Sequence, residues 1–207
     1  VFDSISAGKS HTCGVDTAGE TWCWGDNTYG QIGDTTLDNR DVPVPVATAS
    51  LAGAQLATVA CGYQHTCGLD TTGKAWCWGD NVHGALGGGG VQYSTEPLPV
   101  FGDRFYSVLA AGGPHNCAVD TTGSIWCWGF NSAGQLGDGT TEVRYTPVPL
   151  AGAAVEDVTF LWVMAGLAHS CGGTANGELW CWGSNVLGQL GVEDFVYTPE
   201  VVAAPVE

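Results

Sequence analysis

Hydrophobic and polar positions alternate with a period of two in short runs, and the runs return at regular intervals. Residues 10–27 read SHTCGVDTAGETWCWGDN, and the frame recurs as QHTCGLDTTGKAWCWGDN (64–81), PHNCAVDTTGSIWCWGFN (114–131) and AHSCGGTANGELWCWGSN (168–185). His11, Cys13 and Val15 fall on one face of a strand, and Trp22 and Trp24 on the opposite face of the next. Between them Thr17-Ala18-Gly19 offers glycine where a tight hairpin needs positive φ. Pairing Asp16 with Glu20 also pairs Cys13 with Cys23, and the same arithmetic holds in every copy. A short apolar segment precedes each His (Ala57 to Gly62, Ser107 to Gly112), and a proline-marked one follows each variable loop (Pro43 to Val46, Pro147 to Leu150). Each unit therefore supplies four strands.

Both faces of such a sheet carry bulky or apolar groups, so both must be covered. Repeated four-stranded sheets covered on each side describe propeller blades packed side by side. The expected fold is all-β: a propeller of four blades of four antiparallel strands, as a complete small ring or part of a larger one. One repeat domain covers 1–207, with blades at about 1–47, 55–101, 105–151 and 158–204. The Trp pair of one blade should meet the disulfide face of its neighbour. A parallel α/β arrangement fails because no amphipathic helical segment separates the strands.

Composition narrows the function. Five Lys+Arg stand against 21 Asp+Glu, a net charge of −16. That field repels phosphate backbones and anionic lipid, so no nucleic-acid partner is expected, while basic partners stay open. No apolar run is long enough to span a membrane as a helix. The chain opens with Val1 and lacks the basic-then-apolar start of a signal peptide, so it reads as a mature or excised segment.

Nine cysteines fit the repeat. Cys13–Cys23, Cys67–Cys77, Cys117–Cys127 and Cys171–Cys181 are each ten positions apart, which predicts cross-strand disulfides rather than a zinc site, since the tight knuckle spacing is missing. Each bridge should contribute somewhat under about 3 kcal/mol. Cys61 is left as a free thiol; its equivalents are Ala7, Ala111 and Ala165, so it reads as a buried small residue. Disulfides place the chain in an extracellular, periplasmic or cell-surface setting.

The run A-G-x-x-H-T-C-x-x-D-x-x-G-x-x-W-x-W-G-D-N-x-x-G-Q-L-G resembles the regulator-of-chromosome-condensation repeat, a family of seven-bladed propellers. The resemblance extends over nearly the whole chain, four times. The paired cysteines are similar in kind to those of secreted bacterial members, which include β-lactamase-inhibiting propellers. The departure lies in the count of four units.

Residues that recur in every unit read as scaffold. His11, His65, His115 and His169 are expected to satisfy backbone groups of the preceding turn. Asp16, Asp70 and Asp120 should bond the hairpin turn. Trp22, Trp24, Trp76, Trp78, Trp126, Trp128, Trp180 and Trp182 should fill the space between blades. A tryptophan light sensor is disfavoured, because the clustered arginines it needs are not there: Arg40, Arg104 and Arg144 are the whole supply.

Binding belongs where copies differ. Those positions are Tyr29, His83, Tyr63, Phe130 (an acid in two other units) and Trp162, against the plainer reading that Phe130 and Trp162 plug local gaps. Asp34, Asp38 and Asp41 offer oxygen ligands to calcium, yet lack the EF-hand pattern, so that loop reads first as a solvated acidic one. Catalytic motifs are absent, so neither an enzyme nor a cofactor is expected. The sequence thus points to a secreted or cell-surface module binding a protein or surface partner, basic in character, with enzyme inhibition as one concrete form. The alternative is a structural subunit of a fibre, coat or large surface protein, associating with itself and completed by neighbouring chains. Nucleotide exchange on a small GTPase, which the family name suggests, is opposed by the disulfides.

Overall fold

The computed structural model describes residues 1–192 and 196–202. Among the described residues sixteen strands form four separate sheets, each in sequential antiparallel order. Blade 1 is β1 (Phe2–Ala7), β2 (His11–Asp16), β3 (Thr21–Gly25) and β4 (Arg40–Pro45). Blade 2 is β5 (Leu56–Cys61), β6 (His65–Asp70), β7 (Ala75–Asp80) and β8 (Tyr93–Pro99). Blade 3 is β9 (Tyr106–Ala111), β10 (His115–Asp120), β11 (Ile125–Gly129) and β12 (Arg144–Pro149). Blade 4 is β13 (Phe160–Ala165), β14 (His169–Thr174), β15 (Leu179–Gly183) and β16 (Val196–Val201). The expected end of blade 4 at residue 204 lies outside the described residues.

The hairpin register is the one the cysteine spacing dictates. Cys13 pairs with Cys23 and Val15 with Thr21, with equivalent pairs in every blade. All four bridges are formed, each with Cα atoms 4.1 Å apart. Gly19 holds the hairpin turn at φ +81°, where a side chain would be strained. The fourth strands begin earlier than the proline-marked stretches suggested, at Arg40 and Arg144. Short 3₁₀ turns at Ala49–Leu51 and Ala153–Val155, not expected from the sequence, carry the chain out of blades 1 and 3.

The core lies between blades. The Cys13–Cys23 bridge packs with Trp76 and Trp78, the Cys67–Cys77 bridge with Trp128, and the Cys117–Cys127 bridge with Trp180 and Trp182. Trp78, Trp128 and Trp182 are completely buried. Truncating one such indole costs about 3–5 kcal/mol.

A repeated polar clasp joins the same faces. His11 Nε2 meets Thr66 Oγ1 at 2.8 Å, and Thr66 Oγ1 donates to the Gln31 carbonyl at 2.8 Å. The Trp78 indole N–H donates to that same carbonyl at 3.0 Å. At the next junction His65 meets Asn116, which with Trp128 donates to the Ala85 carbonyl. At the third, His115 meets Ser170, which with Trp182 donates to the Gln135 carbonyl. The imidazoles of His11, His65 and His115 therefore bridge blades, a correction to the expectation that they serve the preceding turn, while that of His169 bonds no following blade among the described residues; His11 Nδ1 and His115 Nδ1 are buried with no partner. Burial, with His65 as a second cause, lowers His11 to about 4 and His115 to about 3.

Asp16 Oδ1 accepts the Ala18 and Glu20 amides at 2.9 Å, and Oδ2 accepts the Trp22 indole N–H at 2.9 Å. The Glu20 amide and then the Trp22 indole hold this carboxyl below its usual range. Asp70 and Asp120 repeat the arrangement with Trp76 and Trp126. Blade 4 has Thr174 at this position, and the Trp180 indole nitrogen is buried without a partner.

Thr174→Asp should supply the missing acceptor and raise stability by about 1 kcal/mol, seen as a melting temperature up by about 2–4 °C. Unfolded imidazoles protonate near 6.5 while the folded ones resist, so stability is full above that pH and declines as pH falls toward 4. Calorimetry should show the melting temperature dropping by on the order of 10 °C between pH 7 and about pH 4.5. A thiol assay should find no reactive sulfhydryl on the native chain and a single one, Cys61, after denaturation without reductant.

Candidate functional site

The β1–β2 turns and β3–β4 loops emerge on one rim, and that rim carries the residues that differ between copies. Tight backbone approaches position the turns: the Lys9 amide donates to the Gly62 carbonyl at 3.3 Å, Tyr63 to Gly113 at 3.2 Å, and Gly113 to Gly166 at 2.9 Å. The loops are held by asparagines, buried in blades 1 to 3 and part-buried in blade 4. Asn27 Oδ1 accepts the Ile32 amide, and Asn81, Asn131 and Asn185 do the same for Leu86, Leu136 and Leu190.

Between these elements opens a cleft of about 410 Å³ lined by Tyr29, Tyr63, Gln64, His65, Asp80, Val82, His83, Pro114 and Leu167. Tyr29, Tyr63 and His83, singled out because their equivalents differ, thus meet at one place. Phe130 adjoins them: its ring lies 4.7 Å from that of His83. The Lys9 ammonium stands 4.1 Å over the Tyr63 ring, on the side of blade 1. Tyr63, Val82 and Leu167 remain exposed. A second acid lies on this rim in Asp26. Burial would raise its carboxyl, but the Thr28 hydroxyl and amide and the Gln31 side chain lower it instead.

The cleft is therefore an aromatic and aliphatic surface edged with carboxylates. Val82 and Leu167 carry no motif of their own. The signal that finds them is position alone, since Val82 precedes His83 and Leu167 is equivalent to Tyr63.

Trp162 does not belong to this group. It sits on β13 with its indole against Gly173, away from the rim cleft and part-exposed on the sheet face of blade 4. The three acids do not gather either. Asp34 is largely buried, a correction to the solvated reading: Oδ1 accepts the Thr36 amide and hydroxyl, and Oδ2 accepts Arg40 Nε at 2.6 Å. Arg40 is its counter-ion, while Asp38 and Asp41 are exposed. Asp138, Thr140 and Arg144 build the same staple in blade 3. Among the described residues the one cluster with metal-ligand spacing is His11, Cys13 and Cys61, and Cys13 is already bonded to Cys23. Burial pushes the Cys61 thiol up to about 11, which keeps it protonated and unreactive at neutral pH.

Comparison with known proteins agrees with the architecture. The Regulator of chromosome condensation (RCC1) repeat matches residues 2–31, 57–85, 108–135 and 163–189, and a second form of it matches 18–69 and 122–172. The mitochondrial RCC1 domain-containing protein RUG3 of Arabidopsis thaliana is 32% identical over 204 residues, covering 99% of this chain and 33% of that protein. The crystal structure of human WBSCR16 superposes with a TM-score of 0.87 at 22% identity, covering 99% of this chain and 53% of the other. Prp20p of Saccharomyces cerevisiae, whose structure was described with its binding to Gsp1p and histones, gives 0.80 at 24% identity over 98% of this chain and 50% of its own. The chain thus spans about a third of that curated relative and about half of the solved ones. With the repeat matched in all four units and the blades formed as described, the chain belongs to the RCC1 repeat family.

Proposed function

We propose that this chain is a non-catalytic protein-binding segment of a secreted or cell-surface propeller, with the rim cleft at its contact surface. One observation carries the reading: Tyr29, Tyr63, His83 and Phe130, which vary among otherwise repeated loops, converge around one opening. Large aromatics held by rigid loops gain contact area with little ordering cost, which is what an interaction surface needs. The acids of the rim and the net charge of −16 favour a partner with a basic edge around an apolar centre. Prp20p, described with Gsp1p and histones, illustrates protein binding on this fold. The four disulfides support an oxidising compartment. Inhibition of a partner enzyme is a concrete form such binding takes.

A selection of displayed peptides on the immobilised chain should enrich sequences combining Lys or Arg with aromatic residues. Tyr63→Ala with Phe130→Ala should weaken them about 30-fold or more, and raised salt should weaken them further. Peptides that bind the double variant as well as the parent chain would place the contact elsewhere and end this reading.

A further inference from the structure

The Asp80 carboxylate is held far less firmly than its counterpart in blade 1. Asp26 Oδ1 accepts the Thr28 amide at 3.1 Å and the Thr28 hydroxyl at 2.6 Å, and Oδ2 accepts the Gln31 side-chain amide at 2.9 Å. Blade 2 has Val82 in place of Thr28 and Ala85 in place of Gln31. Both exchanges remove a donor. Asp80 Oδ1 keeps the Val82 amide at 3.3 Å, and Oδ2 has no hydrogen-bond partner among the described residues. No ion pair compensates this carboxylate there either; the two that form are Arg40 with Asp34 and Arg144 with Asp138.

Blade 3 carries the reverse exchange. Gln135 is kept while the acid it would serve is Phe130, and Gln135 Nε2 is buried without a partner. An orphaned buried amide lowers stability, so Phe130 stands at a cost to the fold. Its ring lies on the rim, 4.7 Å from that of His83. Neighbouring blades thus each give up half of one polar staple, and the freed acid and the gained aromatic ring meet at the same opening.

The surroundings suit a flat cation. Asp80 lines the cleft with Tyr29, Tyr63 and His83. Tyr63 already takes a cation on one face, the Lys9 ammonium 4.1 Å above the ring, and Lys9 itself is not part of the cleft lining. Burial lowers the His65 imidazole in the cleft wall below its ordinary value, so it adds no positive charge near neutral pH. A guanidinium lies flat against aromatic rings and offers a carboxylate two parallel N–H donors, which an ammonium cannot do. Blade 2, which carries the carboxylate, packs against blade 1 on one side and blade 3 on the other, so this opening is not an end face.

We infer that the cleft receives one arginine side chain of the partner protein, paired with Asp80 and stacked among Tyr29, Tyr63 and His83. The inference rests on the rim reading above and adds the residue that anchors the partner.

The probe is a displayed random-peptide library selected on the parent chain, which should enrich peptides with arginine at a fixed position. Replacing that arginine by citrulline, which keeps the shape and loses the charge, should weaken a synthesised peptide about tenfold. Asp80→Asn should weaken the arginine peptide by a similar factor. So should Ala85→Gln, which rebuilds the staple of blade 1, and neither variant should lower the melting temperature. The citrulline peptide should bind the parent and both variants equally. Selection that enriches no arginine overturns the inference, as do variants that weaken both peptides alike. Arginine binding that survives Asp80→Asn and Ala85→Gln but is lost in Tyr63→Ala with Phe130→Ala overturns the inference and leaves the rim reading standing. Binding that survives all of these overturns both.

Discussion

The structure depends on how one blade grips the next. A four-stranded sheet of this size, apolar on both sides, cannot bury its faces alone, so each blade is stable only as a neighbour of others. The grip has two parts. Disulfide sulfurs and indole rings exclude water between faces, and a His, a hydroxyl or amide and a loop carbonyl satisfy the polar atoms trapped there. An uncharged imidazole is a condition of the arrangement, because protonation would place a cation in a site without a carboxylate partner at hydrogen-bond distance. The residues that look most like catalytic or metal-binding chemistry are therefore structural.

That separation frees the rim. Hairpin turns carry the Asp–indole staple and the blade faces carry the clasp, so the loops after the Trp-Cys-Trp strands can change without unfolding a blade. Asp34 with Arg40, and Asp138 with Arg144, stiffen two of these loops from within. Four of the varying positions, Tyr29, Tyr63, His83 and Phe130, lie at or beside one cleft. Rigid backing and variable side chains are what the proposed binding surface rests on, since such a surface costs little to order, and the charge of the chain would favour a basic partner there.

Departures from the repeat mark where the array is weaker or different. Thr174 in place of aspartate leaves the Trp180 nitrogen unpaired in the last hairpin. Gly173 and Trp162 exchange volume across a strand pair on the outermost face of the same blade. Both changes lie in blade 4, whose disulfide face has no following blade among the described residues.

The sequence by itself determined the blades: period-two alternation gave the strands, cysteine spacing gave the register, and a fourfold frame with two apolar faces gave the propeller. These are local or repeated signals, legible because each copy states them again. It also marked Tyr29, Tyr63, His83 and Phe130 as different. It could not place Trp162, whose strand position is shared with small residues and whose direction is set by the gap at Gly173. Nor could it show that Asp34 belongs to Arg40, or that the histidines reach across to Thr66, Asn116 and Ser170. Those partners lie six positions away across a folded loop or more than fifty away on the next blade. Only the packing of completed sheets brings them within hydrogen-bond distance.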